Sequence, residues 1–290
     1  MAEEYTLRHP VVSGLFYPDG EEQLRSGVEG YLARVDRGAL AEEVGKQTGL
    51  DPSAQPPLAV IAPHAGYIYS GGVQAFSYAL LDRFVFDTVV VMGPAHQTPF
   101  RGISVNLDNA YQTPLGSVEV DLDAARKLLE HDGALQRHED AHLGEHSVEV
   151  QLPFLQVALP GVRIVPVLFG EQSRATAEKL AGALSWLMEE LPRRYLCVAS
   201  SDLSHYHSHV DASAMDRTLI NDVKNLDLDS FAEHIQSGKT EACGFAPIMT
   251  GMMLSAQRGR GRAAVLKYSD SGEVSGNRRN VVGYLAALLY

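Results

Sequence analysis

Two patterns of apolar residues alternate along the chain. Short runs that are apolar almost throughout predict buried strands, and longer segments in which apolar residues recur every three to four positions predict amphipathic helices. The first unit of this kind covers residues 57–96, where the apolar PLAVIAPH precedes the helical GGVQAFSYALLDRF and the apolar FDTVVVMGPAH follows at once. This order predicts a strand, a helix and a second strand.

The same alternation continues to the end of the chain. VRIVPVLFG predicts a buried strand, SRATAEKLAGALSWLMEEL a long helix, and RRYLCVASSDLSH another strand. Three helical segments follow, AMDRTLINDVKNL, LDSFAEHIQSG and FAPIMTGMMLSAQRG, and the late strands are RAAVLKYSD and RNVVGYLAALL. Strands and helices therefore alternate in the second half as well, before the two late strands.

Strands without polar alternation belong in a sheet that is covered on both faces. The predicted fold class is therefore α/β, a three-layer α/β/α sandwich around a largely parallel or mixed central sheet. The chain shows no linker, repeat or low-complexity tract, and the polar loop at residues 45–58 comes too early to separate two cores. We expect residues 1–290 to form a single domain.

Composition and charge narrow the class of protein. The 290 residues are 45% hydrophobic and 21% charged, which suffices for a sizeable core, and the net charge of −12 disfavours nucleic acid as a partner. No apolar run approaches the roughly 20 residues of a membrane span, and the start, MAEEYTLRHP, lacks the plan of a signal peptide. We therefore expect a cytoplasmic protein with no membrane partner. Eleven histidines in an acidic chain point to metal binding or proton transfer.

Polar residues follow three of the predicted strands. The first strand leads to His64, the second to His96, and the third to Asp202 and His205. Ligands of open α/β sheets bind beyond the carboxyl ends of the strands, where such residues converge. Each histidine alone is an ordinary surface residue, but two on strands joined by one crossover can share a metal ion. Together they predict a metal-binding pocket.

Two further segments carry candidate chemistry. GEHSVEVQLPFLQ predicts the start of a helix with His146 and Glu149 on one face. The pair suits proton transfer, but a glutamate in the first turn is also favoured by the helix dipole alone. Cys243 lies at the predicted N-terminus of a helix, where exposed N–H groups favour a thiolate that can act as a ligand or nucleophile. Cys197 lies inside an apolar run and is expected in the core. A Cys-His-Asp hydrolase stays possible, although the chain has no G-x-S-x-G motif.

Six motifs in a fixed order carry a resemblance to a known family. VVSGLFYP, APHAGYIYSG, MGPAHQTPF, EHSVEVQLPF, SSDLSHY and CGFAPIMTGM span nearly the whole chain. With them the chain resembles the Memo family, whose fold is similar to that of class III extradiol dioxygenases. Prokaryotic members are associated by family name with a radical-SAM protein and a further small protein, in what is called the AmmeMemoRadiSam system. The resemblance implies those two partners.

The resemblance also implies a site. It assigns His64, His96 and Cys243 as metal ligands, with Asp202 and His205 lining the same pocket. The dioxygenase relatives have a carboxylate where this chain has a thiol, so ring cleavage does not follow from the fold. Imidazoles with a thiol suit Fe(II), copper or zinc. The affinity order alone favours copper. Because metal supply in the cell also decides which ion is bound, we expect Fe(II) first.

The combined hypothesis is an iron- or copper-dependent redox enzyme of unknown substrate. Asp202, His205 and His146 are its predicted catalytic residues, and Tyr67 and Glu149 are predicted to line the substrate pocket. One alternative is a non-catalytic module that holds a peptide or small-molecule ligand between Tyr67 and Tyr69, since eukaryotic members of the resembled family are linked to phosphotyrosine peptides. The other is a metal-dependent hydrolase with Glu149 or Asp202 as the base.

Overall fold

The computed structural model describes residues 5–258 and 261–290. Its strands are β1 (Leu7–Arg8), β2 (Ala59–Ala62), β3 (Thr88–Pro94), β4 (Ile103–Val105), β5 (Ala110–Thr113), β6 (Gly116–Glu119), β7 (Leu135–Gln136), β8 (Arg163–Phe169), β9 (Tyr195–Ser200), β10 (His205–His207), β11 (Ala263–Asp270) and β12 (Val281–Leu289). Its α-helices are α1 (Glu21–Ala33), α2 (Arg37–Thr48), α3 (Tyr67–Tyr78), α4 (Leu122–His131), α5 (Glu139–Leu143), α6 (Leu152–Ala158), α7 (Arg174–Glu190), α8 (His209–Asn225), α9 (Leu228–Gln236), α10 (Phe245–Gln257) and α11 (Gly272–Ser275). Short 3-10 turns cover Leu81–Arg83 and Glu149–Gln151.

The main sheet is mixed, with a parallel centre. Its strands lie in the order β10-β12-β2-β9-β3-β8-β4-β7, and β11 pairs with β12. The pairs β2–β9, β9–β3 and β3–β8 are parallel, whereas β12 and β4 run antiparallel to β2 and β8. A separate three-stranded sheet has the order β1-β5-β6. The mixed α/β fold class expected from the sequence is confirmed.

Helices cover both faces of the main sheet, so alternate side chains of one strand enter different cores. In β3, Val89 and Val91 join the core beneath α1, α2, α3 and α6, and Val90 and Met92 join the core beneath α4, α7 and α10. Both faces of β3 are buried, which explains why the run TVVVM lacks polar alternation. No described helix combines the length and the apolar character that crossing a bilayer requires.

The strand order brings the predicted site residues to one edge of the sheet. Strand β9 lies between β2 and β3, and all three run in the same direction. His64 lies two residues beyond the end of β2, His96 two beyond β3, and Asp202 two beyond β9. The carboxyl ends of three adjacent strands therefore present these residues side by side, as the sequence predicts.

The predicted helix start near His146 is wrong. Helix α6 begins at Leu152 and has Pro153 in its first turn, and a 3-10 turn at Glu149–Gln151 precedes it. Proline is favoured in the first turn because its missing N–H would have no helical partner there. His146 therefore lies in a turn before the helix and does not share a helical face with Glu149.

Candidate metal centre

Three imidazoles meet at the carboxyl edge of the sheet. Candidate ligand atoms of His64, His96 and His146 all lie within 4.8 Å of one another. The ring centroid of His64 is 5.3 Å from that of His96 and 5.5 Å from that of His146. The rings of His96 and His146 are stacked, with their centroids 4.7 Å apart. His64 is buried, whereas the side chain of His96 is 30% exposed. This spacing allows one metal ion to contact all three rings.

Nδ1 of each ring lies beside a protein oxygen, and for His64 and His96 the contact is a hydrogen bond. Nδ1 of His64 is 2.9 Å from Oγ of Ser200, and Nδ1 of His96 is 2.9 Å from Oε1 of Glu145. Nδ1 of His146 lies 3.3 Å from the same carboxylate oxygen. Because partners of this kind fix the tautomer and the direction of a metal-binding histidine, they leave Nε2 of each ring for a ligand.

Glu145 connects two of these rings to the backbone. Besides contacting His96 and His146 through Nδ1, its Oε1 accepts from the backbone N–H groups of His146, at 2.9 Å, and Ser147, at 2.8 Å. Burial by itself raises the pKa of Glu145, but the hydrogen bonds and charge of His96 outweigh it and the pKa falls to about 2. The sequence analysis missed Glu145, whose only signal is its position directly before His146.

We expect the variant Glu145→Gln to bind metal about 10- to 100-fold more weakly, since the negative charge beside two rings is lost and one of two accepting oxygens becomes an N–H donor. Titration of the metal-free protein with Fe(II) or Co(II), followed by calorimetry, measures this change. The matched control is Glu139→Gln, on an exposed residue of α5. Equal affinities for the wild type and Glu145→Gln would show that Glu145 does not orient the rings.

Two glycines allow the loops of the site to approach the strands. A Cβ on Gly93, near the end of β3, would overlap the side chain of Ser147. A Cβ on Gly244 would overlap the backbone of Ser200 and the side chain of Ser201. Only glycine permits such close contacts. Gly93 of the MGPAH motif therefore lets the loop of His146 pack against the end of β3, and Gly244 of the CGF motif lets Cys243 pack against the end of β9.

The thiol of Cys243 lies beside His64. Its Sγ is 3.1 Å from Nε2 of His64 and accepts from the backbone N–H of Asp202 at 3.2 Å. Nitrogen and sulfur ligands of one tetrahedral ion are roughly 3.5 Å apart, because the metal–ligand bonds are about 2.0 and 2.3 Å long. Burial, and then the nearby Asp202, raise the pKa of this thiol. As predicted, Cys243 lies just before a helix, α10, and Cys197 is buried in the core.

Asp202 and His205 lie at the same edge. Oδ1 of Asp202 accepts from the backbone N–H of His64 at 2.9 Å, and burial raises the pKa of Asp202 to about 7. His205 begins β10, and its backbone N–H donates to Glu241 at 3.2 Å. Burial lowers the pKa of His205. Asp202 thus fixes the backbone that carries His64.

Burial also keeps two of the clustered rings neutral. The pKa of His64 lies well below its usual value, chiefly because of burial and then because of His146 and His96. The pKa of His146 is lowered for the same first reason, although Glu145 opposes the shift. A neutral imidazole has a lone pair to give, so both rings are in the form that binds metal.

Tyr67 and Glu149 lie in the packed interior. The hydroxyl of Tyr67 donates to the carbonyl of Val150 at 2.7 Å. Glu149 is fully buried, pairs with Arg8, and accepts from the hydroxyl of Tyr17 at 2.6 Å. The polar atoms of both residues are therefore engaged by the protein, and their place in a substrate pocket stays a prediction. Tyr69 is 42% exposed.

The fold and this site define an α/β protein with a candidate metal centre at the carboxyl edge of its sheet. The family model for Memo-like proteins matches residues 8–288. A MEMO1 family protein of Methanobrevibacter smithii is 36% identical over 283 residues, covering 97% of this chain and 99% of that protein. One of Thermotoga petrophila is 35% identical over 287 residues, covering 98% and 99%. The chain belongs to the Memo family.

A solved structure supports the fold. The crystal structure of an uncharacterized protein from Escherichia coli K12 aligns with a TM-score of 0.52 at 12% identity, covering 79% of this chain and 98% of that one. At this identity the likeness concerns the fold alone.

Proposed function

We propose that the protein is a metal-dependent oxidoreductase that binds Fe(II), or copper as the second choice, at the three imidazoles. The observation that carries the proposal is the geometry of His64, His96 and His146, whose candidate ligand atoms lie within 4.8 Å of one another. The anchored Nδ1 atoms of the rings add to it.

The donor set fits such a metal. Imidazole nitrogen suits iron, copper and zinc, and a thiol adds the softer donor that copper and iron accept. His64, His96 and His146 would hold the ion, with Cys243 beside His64 as a fourth donor. When bound, a redox metal supplies one-electron chemistry and Lewis acidity to a substrate at the exposed side of His96.

The remaining polar residues receive separate roles. In this proposal His146 belongs to the ligand set, and proton transfer falls to His205, which begins β10 and is close enough to His64 to influence its charge. Asp202 positions His64 through the hydrogen bond from its backbone N–H. Glu145 orients His96 and His146.

The proposal includes the two protein partners that the family resemblance implies. A radical-SAM protein generates reactive carbon-centred species, and a redox metal site in a separate protein could act on the product of such a reaction. Co-expression of the chain with a radical-SAM protein from the same organism, followed by affinity purification, tests this partnership. Recovery of both proteins in a fixed ratio supports it, and recovery of the chain alone contradicts it.

Purification without oxygen followed by elemental analysis tests the class of chemistry. We expect about one iron or copper per chain, and a change in its oxidation state when oxygen or ferricyanide is added. Zinc alone would favour the metal-dependent hydrolase, in which a zinc-bound water is the nucleophile. Tight binding of a peptide by the metal-free protein would favour the binding module instead.

A further inference from the structure

A cavity of about 510 Å³ lies at the edge of the main sheet opposite the metal centre. Residues 56–58 before β2, residues 83–86 before β3 and residues 193–195 at the start of β9 contribute to its lining. The seven residues of β3 separate this cavity from His96. At roughly 3.3 Å per residue, the strand spans about 20 Å. The cavity is therefore distinct from the metal centre.

Arginines dominate the polar part of this cavity. The lining includes Arg83, Arg193, Arg194 and Arg258 and no acidic residue, in a chain whose net charge is −12. Acidic residues outside the lining pair with three of these arginines, and Arg258 is one of them, with Glu189 at 3.5 Å. Asp87 binds Arg194 through two hydrogen bonds, of 2.9 and 2.6 Å.

The third of these arginines is Arg193, which pairs with Asp121 and Asp123. A guanidinium has five N–H donors, so such pairs hold the side chain in place and leave further donors for a ligand. Arg83 forms no ion pair within 4.0 Å among residues 5–258 and 261–290, although its charge helps to lower the pKa of Asp51.

The rest of the lining is apolar and partly aromatic. Phe84 and Phe86 pack edge to face with ring centroids 6.3 Å apart, and Leu58 and Met188 add aliphatic surface. Val85 is 63% exposed at the same place. Aromatic rings and aliphatic side chains of this kind accept the flat face of an aromatic ligand. The volume lies within the usual range for small-molecule sites, about 300–1,000 Å³.

We propose that this cavity binds a small aromatic phosphate, such as a nucleoside monophosphate. The guanidinium groups of Arg83, Arg193 and Arg194 bind the phosphate, because their fork of donors matches phosphate oxygens. The aromatic body lies against Phe84 and Phe86. The site is independent of the proposed redox function, and its occupant need not be the substrate.

Calorimetry on the full chain with its metal tests the site. The probes are AMP and naphthyl phosphate, and the comparators are adenosine, naphthol and inorganic phosphate. At least one probe should bind once per chain with Kd below about 1 mM, and at least ten times more tightly than every comparator. Added salt should weaken the binding, since Arg83 is exposed.

Two surface variants and a matched control decide the location. Arg83→Glu reverses the charge of the arginine that forms no ion pair, and Val85→Glu adds a carboxylate at the exposed apolar position, so each should weaken the binding at least tenfold. Arg217→Glu, on an exposed residue of α8 outside the cavity, should leave it unchanged. Metal content should stay the same in all three variants. The proposal is overturned if neither probe meets the affinity criterion, or if both cavity variants bind the probe as tightly as the wild type.

Discussion

Alanine in place of either His64 or His96 should weaken metal binding by at least ~100-fold, which corresponds to about 2.7 kcal/mol. Each ring supplies one of three clustered nitrogens, and the methyl group of alanine offers no replacement donor. Loss of an orienting partner alone typically costs about 10- to 100-fold, so loss of the ligand itself should cost more. The measurement is the metal content after anaerobic reconstitution and dialysis, together with a competition titration against a chelator of known affinity.

His131→Ala is the matched control for the ligand variants. His131 is exposed at the end of α4 and stacks on Trp186 with ring centroids 4.1 Å apart, so its loss removes an imidazole from the surface only. We expect this variant to keep its full metal content. If His64→Ala and His96→Ala bind metal as tightly as His131→Ala does, the assignment of the ligands is wrong.

The variant Glu149→Ala should lower the free energy of unfolding by about 3–5 kcal/mol. It leaves the guanidinium of Arg8 buried without its counter-charge, since the side chains of Arg8 and Glu149 are only 1% and 0% exposed. It also removes the acceptor for the hydroxyl of Tyr17 and for the backbone N–H groups of Val11 and Val12. Urea denaturation followed by circular dichroism measures the change.

The comparison variant for this ion pair is Asp229→Ala. Asp229 pairs with Arg174 at 2.6 Å, and their side chains are 86% and 45% exposed. Solvent screens such a pair, so its loss should cost no more than about 1 kcal/mol. Similar destabilisation by Glu149→Ala and Asp229→Ala would contradict the structural role of the buried pair.

The fold was predictable because its strands are buried on both faces. A run such as TVVVM in β3 enters two cores at alternate positions, so it has no polar side and differs from every amphipathic helix nearby. The carboxyl ends of β2, β3 and β9 were predictable for the same reason, since each apolar run ends where its strand leaves the sheet. His64, His96 and Asp202 each follow such a stop by two residues.

The rest of the site depends on contacts between distant parts of the chain. The pairing of Glu149 with Arg8 joins residues 141 positions apart, and the contact between Cys243 and His64 joins residues 179 apart. The spacing of His146 and Glu149 was read as a helical face, but the loop before α6 turns the two side chains to different partners. Local periodicity carries no information about which way a loop side chain points.

The central claim is that His64, His96 and His146 bind one metal ion. A crystal structure of the protein grown with Fe(II) in the absence of oxygen tests it most directly. We predict one ion bonded to Nε2 of all three rings at about 2.1 Å, while each Nδ1 keeps its partner. An ion bound elsewhere, or three rings whose Nε2 atoms point away from a common centre, would contradict the claim.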